Sequence, residues 1–313
     1  TVPHRPVPPV RPTATPTPEV LLVQRSTLWT TVGGVAAAVA AAAIAVPLLT
    51  AGGPAPAAVT THSAAAPSTP VPGVPHVDAA ALAALPEAQY SAVVDGLLPW
   101  DRTTTAAHVF HLTADAPLFG DGRTAPVARF AKTDFLQQPT TVVGLRRQGP
   151  WELVLTPARR QLPSAAGAGG AAAQTAAWVP ADLLTAVAAP TARVVVSTTE
   201  QSVSIVSAST GAVQQHFAAG VGTADTPTPT GVTGYLEERY ADPSQGTGEH
   251  PIQLTSLHSS AADEPYGGHD GGLIGLHWNA TTSGAVSHGC VRLSAEAVAA
   301  LDALPLGTLV TVE

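Results

Sequence analysis

The chain of 313 residues has a single cysteine, Cys290, so no intramolecular disulfide can staple it. Its folded part must therefore be held by a hydrophobic core. Charge is scarce too. From Ser26 to Val77 there is no Asp, Glu, Lys or Arg, and within that stretch Leu28 to Leu49 is a mostly apolar run of 22 residues. Such a run is long enough to cross a hydrocarbon layer of roughly 30 Å. Positive charge is rare toward the C-terminus, where residues 193–313 hold 3 Lys/Arg against 12 Asp/Glu. That balance repels a polyanion and argues against nucleic acid as a partner. Residues 102–160 carry the opposite balance, 8 Lys/Arg against 4 Asp/Glu, which suits a solvated basic face.

Composition then divides the chain. Residues 1–27, with Arg5, Arg11 and Arg25 among many prolines and no apolar period, read as a disordered cytoplasmic tail. Because the arginines precede the apolar run, the N-terminus is expected inside and everything after the run outside. Residues 28–49 thus read as a transmembrane helix acting as a signal anchor, with a signal peptide cleaved near Ala55 to Ala58 as the alternative. Residues 50–77 form an Ala/Pro/Thr-rich linker. The expected location is the cell envelope, with an extracytoplasmic C-terminal domain on a single-pass membrane anchor.

The folded part is expected to be mainly β. Residues 78–100 show apolar positions at helical spacing (Leu82, Leu85, Tyr90, Val93, Leu97) and predict a helical segment. Residues 101–188 change to short apolar runs between Gly, Pro and Asp turns, the pattern of a small β-domain; the Ala/Gly-rich stretch from Ser164 to Thr175 predicts a flexible loop inside it. Residues 191–313 begin with a hairpin through Val194–Ser197 and Ser202–Ser207. They end with a helix capped by Ser294 and a last strand at Leu309–Val312.

The chemistry concentrates in Ser287-His288-Gly289-Cys290-Val291-Arg292-Leu293. Imidazolium and guanidinium charges favour thiolate over thiol, and the thiolate is the form that attacks carbonyls. A second histidine, His277, lies 13 positions upstream of Cys290, close enough to return across a sheet as general base. Gly289 lets backbone approach a reacting carbonyl, so the N–H groups of Gly289 and Cys290, with His288, are candidate oxyanion donors. Arg292 has the planar fork that suits a substrate carboxylate, or an ion pair that holds the loop. Ser287 fits a hydrogen bond that fixes the turn. Asp263 to Gly272, with Tyr266, predicts a mobile flap and adds Tyr266 as a substrate contact.

At these residues the sequence resembles the L,D-transpeptidase family of the YkuD type, whose catalytic domain carries a histidine and, after a short insert, Ser/Thr-His-Gly-Cys. Thr228-Pro229-Thr230-Gly231 is similar to the family's Thr-Pro-x-Gly segment. The resemblance implies a β-sandwich-like catalytic domain, Cys290 as nucleophile, His277 as its base and the backbone carbonyl of Trp278 as the group that orients the base. It implies peptidoglycan stem peptides as substrates, β-lactams of the carbapenem class as inhibitors, and no cofactor or metal. The chain departs from the pattern in its insert of nine residues between His277 and Ser287, and in Trp278-Asn279, which replaces a small pair. Trp278 is therefore expected to narrow the cleft or stack on a substrate. Upstream, Gly149-Pro150-Trp151 and Ala177-Trp178-Val179-Pro180 resemble SH3-like domains of wall proteins, which implies a small β-barrel over 101–188.

Three other readings compete: an L,D-carboxypeptidase that passes the same acyl-enzyme to water, a metal-binding module and a non-catalytic wall-binding module. The second arises because His250, His258, His269, His277, His288 and Cys290 crowd 41 residues, although none of their spacings matches a closed zinc site. The orientation has a direct test. Protease added outside wall-less cells should release a fragment that begins between Ala51 and Val77 and retains Cys290. A protected C-terminal domain refutes the orientation, and release without protease reveals a cleaved signal peptide.

Overall fold

Short runs of β-branched and aromatic residues between tight turns build two large sheets in the computed structural model, which describes residues 71–105, 107–167, 170–243, 248–263 and 272–313. The expected tail, the apolar run Leu28 to Leu49 and the linker up to residue 70 lie outside the described residues. Among the described residues, no helix is long and apolar enough to cross a membrane.

The helical segment expected over 78–100 is reduced to α1 (Ala79–Ala84), which Asp78 caps by accepting the Ala81 N–H at 2.8 Å. Pro86 explains the correction. Leu85, the residue before it, takes the extended conformation at φ −73°, ψ 148°, and the helix stops there. The chain then runs on through isolated bridges, Glu87 to Arg129 and Val93 to Arg159, and buries Ala88, Val94 and Leu97 in the core of the β-domain.

That domain comprises β1 (Leu98–Pro99), β2 (His108–Leu112), β3 (Ala116–Phe119), β4 (Pro126–Phe130), β5 (Thr141–Gln148), β6 (Trp151–Thr156), β7 (Thr175–Pro180) and β8 (Leu184–Ala186). The strand order β4-β3-β7-β6-β5-β2-β8, with β1 added on β7, makes a nearly closed, barrel-like antiparallel sheet. Phe119 meets Trp151 edge-on at 5.0 Å, and the Arg123 guanidinium lies 3.7 Å over the ring of Trp178. The Ala/Gly-rich stretch is less free than its composition predicts: Ala173, Gln174 and Thr175 are buried. Gln174 donates to the carbonyls of Thr156 and Thr175 at 2.8 Å each, which ties the end of the stretch to β6.

The second sheet is formed by β9 (Ala192–Ser197), β10 (Ser202–Ser207), β11 (Val213–Ala218), β13 (Val232–Tyr240), β14 (Ile252–His258), β15 (Leu273–Trp278), β17 (Val291–Leu293) and β18 (Leu309–Val312); β12 (Val221–Gly222) and β16 (Ala285–Ser287) form a separate parallel pair. The order is β11-β10-β9-β18-β13-β14-β15-β17. The hairpin β9–β10 pairs Ser197 with Ser202, and α2 (Ala295–Asp302) starts at Ser294, whose Oγ accepts the Ala297 N–H at 3.2 Å. Val298 and Leu301 of α2 pack with Leu276, Val291, Leu293 and Val310 in one core.

The two sheets are not separate bodies, because residues 65–313 cluster as one compact unit. Val143 and Leu155 of the first sheet share an apolar cluster with Tyr235 and Leu309 of the second. Buried polar groups join them as well: the Ser256 hydroxyl donates to Gln174 Oε1 at 2.7 Å, and the His258 N–H donates to the Ala173 carbonyl at 2.9 Å.

One costly feature sits at this junction. A register shift in β13 brings Glu237 and Glu238 close to Asp134 of the β-domain. Burial first, then repulsion by Asp134 and a hydrogen bond that the protonated Glu238 donates to it, push Glu238 up to about 7, while Arg239 pulls the other way. The folded chain thus holds a proton that the unfolded chain has lost above the ordinary carboxylate range. This contribution to stability is complete below that range and is lost as pH rises through 7. Glu238→Gln should raise Tm by a few degrees at about pH 8 and by less at about pH 5, read by thermal melts. A larger gain at the lower pH would refute the assignment.

Candidate active site

The parallel pairing of β15 with β17 sets His277 beside Arg292, with Leu276 beside Val291 and Trp278 beside Leu293. Side chains alternate along a strand, so Leu276, Val291 and Leu293 enter the core while His277 and Arg292 share the opposite face. Cys290, one residue ahead of β17, lays its sulfur against β15. Its Sγ accepts the Gly275 N–H at 3.4 Å, and its S–H points to the Leu273 carbonyl at 3.6 Å. The residue is 8% exposed.

His277 is half-buried, and its Nδ1 lies 2.9 Å from the Trp278 carbonyl oxygen. A carbonyl can only accept, so Nδ1 carries the hydrogen and Nε2 keeps its lone pair. This is the carbonyl that the family resemblance implied. Burial lowers the pKa of His277 below the ordinary imidazole value, the Trp278 carbonyl opposes that, and the nearby Arg292 charge lowers it further. The ring is therefore neutral at neutral pH and ready to take a proton.

The turn that presents the thiol is built from hydroxyls. Ser287 Oγ donates to the Cys290 carbonyl at 2.5 Å and accepts the Gly289 N–H at 3.2 Å. The Gly289 N–H, expected among the oxyanion donors, is thus already engaged. Gly289 has φ +119°, and a Cβ there would stand 2.9 Å from Ile274 Cδ1, so only glycine fits. Thr228 Oγ1 donates to the Gly289 carbonyl at 2.7 Å and accepts the Gly222 N–H at 3.0 Å. The Thr223 N–H donates to the Ser287 carbonyl at 3.0 Å, and Thr226 Oγ1 donates to it at 3.3 Å. The segment similar to Thr-Pro-x-Gly is therefore the support on which the nucleophile turn rests. Thr223, Thr226 and Gly275 escaped the sequence reading, because they act through backbone contacts that no motif displays.

His288 is exposed between buried Ser287 and Gly289. Arg292 forms no ion pair among the described residues, and its buried Nε has no hydrogen-bond partner among them. Tyr266 lies outside the described residues. The Trp278 side chain packs against the core and beside the His250 ring at 5.7 Å, on the face away from His277, while its carbonyl meets the His277 ring. Among the described residues no three of His, Cys, Asp and Glu are grouped to hold a metal. His258 is buried and its Nε2–H donates to the Tyr90 carbonyl at 2.9 Å, and His269 is outside the described residues.

A thiol, a neutral imidazole with a set tautomer and a guanidinium thus come together around the pairing of β15 with β17. Residues 191–312 match the family model of YkuD, the L,D-transpeptidase catalytic domain. Solved structures similar to the chain at low identity include three L,D-transpeptidases. An L,D-transpeptidase from Mycobacterium smegmatis is 15% identical over 52% of this chain and 90% of that one, with a TM-score of 0.30. The L,D-transpeptidase LdtMt1 in complex with imipenem is 15% identical over 55% and 90%, with a TM-score of 0.32. An L,D-transpeptidase from Mycobacterium tuberculosis H37Rv is 16% identical over 72% and 100%, with a TM-score of 0.31. No curated protein matches the chain.

The threonine support can be tested. Thr228→Val strands the part-buried Gly222 N–H and the buried Gly289 carbonyl and should cost roughly 1–3 kcal/mol in urea unfolding, whereas Thr228→Ser, which keeps both bonds, should cost well under half as much. Equal losses would show that the methyl, not the hydroxyl, matters there.

Proposed function

We propose that the chain is a peptidoglycan L,D-transpeptidase that cross-links stem peptides through an acyl-enzyme on Cys290. The observation that carries this reading is the hydrogen bond from His277 Nδ1 to the Trp278 carbonyl, which leaves Nε2 as a base on the face that Cys290 occupies. As the thiol attacks the amide after the third residue of a donor stem, His277 takes its proton and an oxyanion forms. Collapse of that intermediate breaks the C–N bond, and His277 returns the proton to the departing D-alanine amine. The thioester then meets an amine from a neighbouring stem; His277 removes its proton, the new amide forms and the thiol is restored. Water in place of the amine would give hydrolysis.

Arg292 is the candidate for a substrate carboxylate, since it presents charge on the same face and lacks a protein counter-ion among the described residues. Ser287 and Gly289 hold the turn, and exposed His288 is the candidate side-chain donor to the oxyanion. The proposed setting is the cell envelope, with the catalytic domain outside the cytoplasmic membrane. There carbapenems would acylate Cys290.

Mass spectrometry after incubation with a carbapenem tests the nucleophile. The wild type should gain one adduct on the peptide containing Cys290, and Cys290→Ala should gain none and lose turnover while remaining folded. His277→Ala should acylate about 10²–10⁴ times more slowly. Because the His277 pKa is lowered, the acid limb of the acylation rate should fall below the ordinary imidazole range near 6.5. An adduct on Cys290→Ala, or a limb above that range, contradicts the mechanism.

A further inference from the structure

The β-domain sends one charged side chain into the ground next to the thiol. Arg159, just after β6, is 3% exposed. Its Nη1 donates to the Asp263 carbonyl at 2.7 Å, and its Nη2 donates to the carbonyls of Ala262 at 3.4 Å and Ser259 at 3.5 Å. A second contact lies beside it, where the Ser164 N–H and hydroxyl both donate to the Asp263 carboxylate, at 2.8 and 2.5 Å. The guanidinium also lies against Gly272: a Cβ on that residue would fall 1.6 Å from Nη2, and its φ of +69° favours glycine in any case. The Ser259 N–H donates to the Gly272 carbonyl at 2.7 Å, so both ends of the segment between them are joined at the guanidinium. β15 starts at the next residue, Leu273. Its carbonyl and the Gly275 N–H both touch the Cys290 sulfur.

From this chain of contacts we infer that Arg159 is a positioning residue for the Cys290 thiol, supplied by the β-domain to hold the start of β15 in place. The inference rests on the acyl-transfer reading of the site. A planar fork reaching three carbonyls in different directions calls for arginine and not lysine, whose single ammonium cannot span them. A missing fork frees the Ser259–Asp263 backbone, lets Leu273 and Gly275 shift, and misplaces the sulfur relative to His277. The β-domain is thereby part of the catalytic apparatus and not only a neighbour.

The test uses the whole protein with Arg159→Lys, Arg159→Met and Gly272→Ala, the last of which displaces the guanidinium without removing it. Stem-peptide turnover gives kcat and KM, and alkylation of Cys290 by iodoacetamide across pH reports the thiol without needing a substrate, each at a temperature well below the variant's Tm. All three variants should lower kcat by up to about 10²-fold, the scale for a displacement near 1 Å, with KM little changed. Each should shift the pH profile of alkylation, with lysine giving no rescue. Unchanged kcat and alkylation profile beside a lowered Tm would make Arg159 merely structural and overturn the inference. A wild type that alkylates normally but never takes a carbapenem or turns over a stem peptide would instead defeat the acyl-transfer reading, and the alkylation profiles would still decide the role of Arg159.

Discussion

The parallel register between β15 and β17 is the constraint on which the rest depends. It sets His277 beside Arg292 and Leu276 beside Val291, so one alternation sends the apolar residues into the core and the reactive ones to the other side. A slip of one residue would bury the imidazole and expose the leucines, so the apolar pattern that stabilises the domain also protects the geometry of the site. Around that pairing the chain uses hydroxyls and glycines. Ser287, Thr228 and Thr226 answer the backbone groups of the nucleophile turn, and Gly222 and Gly289 allow the approach, since a Cβ on Gly222 would stand 2.3 Å from the Thr226 carbonyl.

Without disulfides, the fold relies on burial across the junction of its two sheets. The cluster of Val143, Leu155, Tyr235 and Leu309 and the bond from Ser256 to Gln174 make the β-domain an integral neighbour of the catalytic domain. The junction also holds groups that work against stability. Glu237 and Glu238 face Asp134, and burial keeps them protonated beyond the usual carboxylate range. Arg159 lies in the same body with its charge spread over carbonyls, and that charge, after burial, helps hold His258 neutral with a pKa near 3. The polar groups of the junction thus fix register and position at some cost in stability.

Much of this was legible locally. The run from Ser287 to Leu293 with upstream His277 marked the candidate site, because the ordered set of an upstream histidine and then Ser-His-Gly-Cys-Val-Arg is far more specific than a lone cysteine. The hairpin β9–β10 and the cap at Ser294 followed from alternation and capping chemistry. The helix over 78–100 was over-read, since apolar spacing suggested it and Pro86 ended it. The Ala/Gly-rich stretch looked free because small residues show no period, yet its end is buried against β6 and β14.

The sequence by itself set out the candidate chemistry: Cys290 to attack, His277 to serve it and, through the family resemblance, the Trp278 carbonyl to orient that imidazole, because these residues lie a few positions apart. Only the tertiary structure decided what that chemistry rests on. The Trp278 ring turns to the core, the Gly289 N–H is taken by Ser287, and Arg159 reaches across more than a hundred positions to Asp263. Such contacts join carbonyls and N–H groups that every residue carries, so their partners are chosen by where strands meet in space and leave no mark in the order of side chains.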